Sequence, residues 1–225
     1  MSIDERKNRT SKTAVVAAFR VRFNVFLVRI CVRRILPREA VNRVPVAECG
    51  EPLVMWRGGI VRAGVAERLD DAEARLPEGW TIELLEGWRG ESEQDAIRAA
   101  AKCAVLARDP SLSGEELDRA VARFAANASG HRTGGAVDVR LLHRGAPAPC
   151  GSEYLAFGQG TASFSRVPPE EARNRALLLR AMRGAGFANY PAEWWHFSYG
   201  DRLWAAYRRK RRAIYDAITT PTTRN

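Results

Sequence analysis

Ser129-Gly130-His131-Arg132-Thr133-Gly134-Gly135-Ala136-Val137-Asp138, read together with Glu193-Trp194-Trp195-His196, decides the fold and the chemistry of this 225-residue chain. The sequence holds three histidines, and two of them stand in these strings, each with a carboxylate nearby. Two imidazoles and one carboxylate suffice to hold a catalytic zinc with a fourth position open. The remaining carboxylate is then free to act as a base. The spacing is His-x6-Asp, 54 intervening residues, then Glu-x2-His. It differs from the helical His-Glu-x-x-His pattern of common zincins.

Each string has a local reading. Residues 136–142 alternate like a strand, with Val137, Val139 and Leu141 on one face and Ala136, Asp138 and Arg140 on the other. Gly134 and Gly135 allow a tight turn that brings His131 back over the strand to meet Asp138. The plainer alternative is a surface turn followed by a strand with one solvated Asp. In the second string, Pro191 blocks a helix and two tryptophans bury a large apolar area. In an ideal strand Glu193 and His196 point to opposite faces. A site therefore requires a helical turn or a bulge there. Here the alternative is a core Trp pair with a hydrogen-bonded His.

Taken together, the strings resemble the zinc D-alanyl-D-alanine dipeptidases of the VanX type. Their wider superfamily includes D-Ala-D-Ala carboxypeptidases and the hedgehog signalling domain. The family pattern Ser-x-His-x-x-Gly-x-Ala-x-Asp is matched at Ser129, His131, Gly134, Ala136 and Asp138, and Glu-x-Trp-His at Glu193, Trp195 and His196. Leu84-Leu85-Glu86-Gly87-Trp88-Arg89 is similar to a family strand ending in Asp-Gly-Tyr-Arg. The resemblance covers roughly residues 45 to 207. It implies one zinc per chain, held by His131, Asp138 and His196. It implies that Glu193 takes a proton from the attacking water and passes it to the leaving amine. Arg89 would stabilise the oxyanion, a role suited to a permanently charged fork of donors. Ser129, Trp195 and Tyr154 would contact a small peptide substrate containing D-amino acids, although a capping role is the plainer reading of Ser129.

One departure from the pattern bears on substrate choice. The segment after the zinc Asp usually reads Met-Gly-Ser/Thr-x-Phe-Asp in the family, its last Asp holding the substrate ammonium. Here the segment is Cys150-Gly151-Ser152-Glu153-Tyr154-Leu155. A leucine cannot pair an ammonium, and Glu153 substitutes only if the loop is shifted. Strict D-Ala-D-Ala selectivity is thus less secure than the metal-dependent peptidase chemistry.

Length and a hydrophobic content of 46% suit one catalytic domain of ordinary core size. The net charge of +10 is uneven. Residues 1–45 carry eleven Lys/Arg against three acids, residues 46–201 eighteen against twenty-two, and residues 202–225 seven against one. The basicity belongs to the ends, so nucleic acid is not the implied partner. This divides the chain into a basic N-terminal extension (1–45), a catalytic domain (46–207) and a basic tail (208–225). Residues 14–36 are apolar but broken by Arg20, Arg22, Arg29, Arg33 and Arg34, which excludes a comfortable membrane span or secretory signal. They remain open between a helix on an anionic membrane surface, an element packed on the domain and a poorly ordered extension. Arg208–Arg212 reads as a solvated helix end. Cys31, Cys49, Cys103 and Cys150 form no Cys-x-x-Cys pair, and reduced thiols suit a cytoplasmic protein; membrane association or a periplasmic location is the alternative.

The coarse pattern places helices at 64–76, 92–107 (capped by Ser92), 113–126, about 168–184 and 201–218, and strands at 81–86, 136–142 and 187–190. Helices and strands do not alternate regularly. The expectation is therefore an α+β domain, with a small, mostly antiparallel sheet flanked by helices and zinc in a groove on that sheet. The function expected is hydrolysis of D-alanyl-D-alanine or a related cell-wall peptide. The alternatives are a D-Ala-type carboxypeptidase or peptidoglycan endopeptidase, and a non-catalytic metal-containing binding domain. Glu193 and Arg89 separate the last from the others, because a binding module needs neither.

Overall fold

The computed structural model describes residues 35–122, 125, 129–156 and 160–219. The expectations for residues 14–34 lie outside them. The body from Leu36 onward is built on one antiparallel sheet of five strands: β3 (Trp80–Glu86), β4 (Ala136–His143), β5 (Ala146–Pro147), β6 (Ala188–Asn189) and β7 (His196–Ser198). The order β3-β4-β7-β6 puts β4 at the centre, with β5 folding back on its far end. A separate hairpin joins β1 (Leu53–Trp56) to β2 (Gly59–Arg62). The helices are α1 (Arg38–Asn42), α2 (Ala63–Glu73), α3 (Glu91–Arg108), α4 (Gly114–Ala122), α5 (Pro169–Gly184) and α6 (Arg202–Tyr207). This is the α+β arrangement expected.

The alternation read in β4 is what anchors it. Val137, Val139 and Leu141 are fully buried, each contributing about 1.5–3 kcal/mol. Strand periodicity then sends Asp138 to the opposite face. The same face receives Glu86 from β3 and His196 from β7, because the registers pair Glu86 with Asp138 across a bulge and Asp138 with His196. Register alone thus gathers three polar side chains onto one row of the sheet.

Several boundaries differ from expectation. Helix α3 starts at Glu91 with Gly90 as its N-cap and no side-chain cap, so Ser92 lies inside the first turn. The last helix stops at Tyr207 rather than near 218. Five consecutive cations follow from Arg208 to Arg212, and Arg209 takes a left-handed φ of 53° that ends helical geometry. The chain then returns, with Ala213 bridging Val46 and Tyr215 1% exposed against the body. At the other end, α1 packs against α6, and the Leu36 amide donates to the Tyr207 hydroxyl. The β1–β2 hairpin was not foreseen; its turn places Arg57 and Gly58 at φ 45° and 88°.

Leu141→Ala is expected to lower unfolding free energy by about 2–5 kcal/mol, read as a lower urea midpoint at unchanged slope.

Candidate metal centre

His131 lies in a single 3-10 turn, Gly130–Thr133, between α4 and β4. The Ser129 hydroxyl accepts from the His131 amide, so Ser129 takes the plainer capping role here. The turn closes on Gly134 at φ 69°, a left-handed position that glycine adopts without strain. A side chain at Gly130 would collide with Asp201, its Cβ falling 2.1 Å from Oδ2. The loop is clamped from β2: the Arg62 amide donates to Gly134 O at 2.9 Å and the Arg62 Nε to Thr133 O at 2.8 Å. Arg62 is itself buried and ion-paired with Glu48.

The second string makes the required distortion. Between β6 and β7 the Glu193 amide donates to Tyr190 O, turning the chain at Pro191–Trp195. The buried Asn189 side chain staples this turn, donating to the carbonyls of Glu193 and His196. Glu193 Oε2 consequently comes within 3.9 Å of His196 Nδ1.

Three ligand-type atoms meet over the sheet. His131 Nε2 and His196 Nδ1 stand 3.2 Å apart. Asp138 Oδ1 lies 3.3 Å from the first and 3.0 Å from the second. All three residues are buried, which removes the solvated-Asp reading of the first string, and their convergence goes beyond a core Trp pair with one hydrogen-bonded His. His131 Nδ1 donates to the Gly87 carbonyl at 2.8 Å, which fixes the tautomer and leaves Nε2 with its lone pair outward. Lone pairs and a carboxylate facing one another in buried surroundings need a cation or a proton among them. Tetrahedral ligands at zinc–nitrogen distances of ~2.0–2.1 Å stand about 3.3–3.4 Å apart. The observed spacing fits such an ion.

The electrostatics of the cluster favour positive charge beside Asp138. Burial alone would raise the Asp138 carboxyl, but the flanking His131 and His196 imidazoles hold it far below the usual range. Burial would lower His131, yet the Asp138 carboxylate raises it above an ordinary imidazole. Glu193 is pushed up to about 7 by burial, against the pull of His196. Arg38, at the start of α1, is within electrostatic reach of Glu193 and Tyr190. It adds positive potential beside Glu193 from within residues 1–45, the expected N-terminal extension.

Arg89 follows β3 as expected and is 7% exposed. Its amide donates to His131 O, so it is tied to the ligand loop. Its side chain forms a two-pronged pair with Glu86 and donates to Gln94 Oε1 at 2.7 Å. Glu86 and Gln94 were not singled out from sequence, although Glu86 stands inside the motif that pointed to Arg89. Trp195 is buried with its indole edge-on to Tyr154, ring centroids 5.7 Å apart. Its Nε1 has no partner among the described residues. The Tyr154 hydroxyl reaches both Asp138 and Glu86, and burial, followed by those two carboxylates, drives its acidity far below that of a free phenol. Glu153 and Leu155 both face solvent, and Glu153 makes no side-chain hydrogen bond or ion pair among the described residues. Cys150 is packed and burial pushes its thiol up to about 11, so it is neutral and inert near pH 7.

These features define a metallopeptidase of α+β architecture. The family model of peptidase M15, described as D-ala-D-ala dipeptidase, matches residues 59–215. The chain belongs to this family and is a zinc metallopeptidase. It is similar to the D-alanyl-D-alanine dipeptidase of Synechocystis, 28% identical over 223 residues, covering 75% of this chain and 90% of that protein. Shorter matches link it to the D-alanyl-D-alanine dipeptidases of Streptomyces coelicolor (37% identical, 33% of this chain and 39% of that protein) and Enterococcus faecium (32% identical, 35% and 40%). Among solved structures it matches the zinc(II) complex of a mutant of the vancomycin resistance D,D-pentapeptidase VanY, at 18% identity and a TM-score of 0.46, covering 77% of this chain and 91% of that one.

The cluster predicts that purified protein takes up about one equivalent of zinc and that His131→Ala loses most of it, measured by metal analysis after dialysis. Full retention in that variant contradicts the ligand assignment.

Proposed function

We propose that this chain hydrolyses D-alanyl-D-alanine or a closely related cell-wall peptide, with His131, Asp138 and His196 holding the zinc. The observation that carries the reading is the buried convergence of these three ligand atoms with a fourth acid–base group, Glu193, beside them. The names of the relatives support the substrate class. Zinc at such a site polarises the scissile carbonyl and makes water a better nucleophile near neutral pH.

The protein's own groups do the rest. Glu193 accepts the proton of the attacking water and returns it to the leaving amine. A carboxyl poised near neutrality is suited to both halves of that transfer, which typically contributes ~10²–10⁴-fold. Arg89 supplies charge for the developing oxyanion. Of the five guanidinium N–H groups, three are engaged with Glu86 and Gln94, which fixes the plane of the fork while donors remain. A non-catalytic binding module needs neither a base at Glu193 nor an oxyanion partner at Arg89.

A second reading is favoured by one observation. Leu155 stands where the family pattern carries its ammonium-binding Asp, and it is 41% exposed at a left-handed φ of 57°. No carboxylate is offered there, so a peptide without a nearby free amine loses least, as in a carboxypeptidase or endopeptidase reaction. The exposed free thiols of Cys49 and Cys103 support a cytoplasmic setting. Among the described residues no helix is long and apolar enough to cross a membrane.

Glu193→Gln is expected to retain zinc and fold while kcat falls by about 10²–10⁴-fold in a D-Ala-D-Ala hydrolysis assay; near-normal kcat contradicts the base assignment. Leu155→Asp is expected to lower KM for the free dipeptide by about one to two decades, the equivalent of a charge-assisted hydrogen bond, and to leave amine-blocked peptides unchanged. If the unaltered protein already binds the dipeptide tightly and neither Leu155→Asp nor Glu153→Gln shifts KM, the amine is held elsewhere.

A further inference from the structure

The Asp138 carboxylate is divided between two tasks. Oδ1 faces both imidazole nitrogens. Oδ2 faces away from them and accepts from the Tyr154 hydroxyl at 3.0 Å. The same hydroxyl lies 3.2 Å from Glu86 Oε2, and Glu86 is the carboxylate that clamps Arg89. Tyr154 therefore stands between a ligand of the metal cluster and the cation next to it. Its ring is held edge-on by Trp195 at an interplanar angle of 81°, and Trp195 precedes His196 in sequence.

A phenol has one proton and cannot donate fully to two carboxylates at once. The hydroxyl lies within donating distance of both, 3.0 Å from Asp138 Oδ2 and 3.2 Å from Glu86 Oε2, so one proton bridges the two carboxylates. Without that hydroxyl, Oδ2 is a buried acceptor with one partner fewer, and Asp138 faces a like-charged neighbour with no donor in between. An unrestrained carboxylate can also rotate about its Cβ–Cγ bond and offer either oxygen.

We infer that Tyr154 is a positioning residue for the metal: its hydroxyl, braced by Trp195, holds Asp138 with one oxygen turned to the two imidazoles and joins that ligand to the Glu86–Arg89 pair. The inference rests on the reading of His131, Asp138 and His196 as the zinc ligands. It assigns Tyr154 a task made through Asp138 rather than through the peptide. Groups that hold a ligand by its second atom typically change metal affinity or activity 10–100-fold when removed.

The test is the dissociation constant for zinc, measured by competition with a chelator of known affinity, in the unaltered protein and in Tyr154→Phe. That substitution keeps the ring and its contact with Trp195 and removes one oxygen. The expected result is one zinc per chain in both, bound about 10–100-fold more weakly in the variant, with a shifted visible spectrum when cobalt(II) replaces zinc. A loss of packing alone would lower the melting temperature of the metal-free protein without changing the cobalt spectrum. An unaltered protein that binds zinc tightly and a variant with the same constant and spectrum overturn the inference while leaving the ligand set intact. An unaltered protein that takes no zinc overturns the ligand set and this inference with it. Should Tyr154→Phe not fold, Trp195→Phe keeps the hydroxyl but loosens its brace. It is then expected to weaken zinc binding by a smaller factor, and an unchanged constant would count against the inference.

Discussion

The rest of the site depends on the antiparallel pairing of β4 with β7, which sets Asp138 opposite His196. Val137, Val139 and Leu141 hold β4 in register by burial, so Asp138 has no freedom to leave the opposite face. His131 is brought over the same face by a turn that Arg62, Ser129 and Gly134 lock from three sides. The result is a carboxylate buried with two imidazoles. That arrangement is costly unless it is paired or occupied by a cation, and here it is matched to a metal by distance. The apolar core is thus what makes the polar cluster possible. A one-residue slip of β4 would turn Asp138 into the core and Val137, Val139 and Leu141 out of it.

Around that cluster the groups divide by element. The Tyr190–Trp195 turn presents Glu193, and the bonds from Asn189 keep it from relaxing into a strand. The end of β3 presents Glu86 and then Arg89, joined to the ligand loop by the bonds from His131 to Gly87 O and from Arg89 to His131 O. The loop after β5 presents Tyr154 inward and Glu153 and Leu155 outward. The groups proposed to act on the reacting bond therefore sit on backbone tied to the sheet. The part that departs from the family pattern sits on a surface loop. Catalysis and substrate choice can vary independently in such a design.

The ligand set was legible in sequence because it is carried by rare residues at short spacing. Two of three histidines fall in two strings, and strand alternation alone orients Asp138. Glu193 was legible by adjacency to His196, along with the backbone distortion it needs. What escaped were partners brought together only by tertiary contact: Asn189 beneath the Glu193 turn, Gln94 behind Arg89, and the link from Tyr154 to Asp138. No local pattern marks these. The β1–β2 hairpin escaped because its strands have four residues each, Met55 is exposed, and an arginine takes a turn position that glycine or asparagine would announce. The last helix was drawn too long because helical periodicity continues past Tyr207. The chain turns back there to bury Ala213 and Tyr215, which sequence periodicity does not record.

One zinc is expected between β4, β7 and the His131 turn. Anomalous diffraction at the zinc edge from crystals of the loaded protein should show a single strong peak about 2.0–2.2 Å from His131 Nε2, Asp138 Oδ1 and His196 Nδ1. A peak held by other residues, or protein that crystallises with stoichiometric zinc and shows none there, would contradict it.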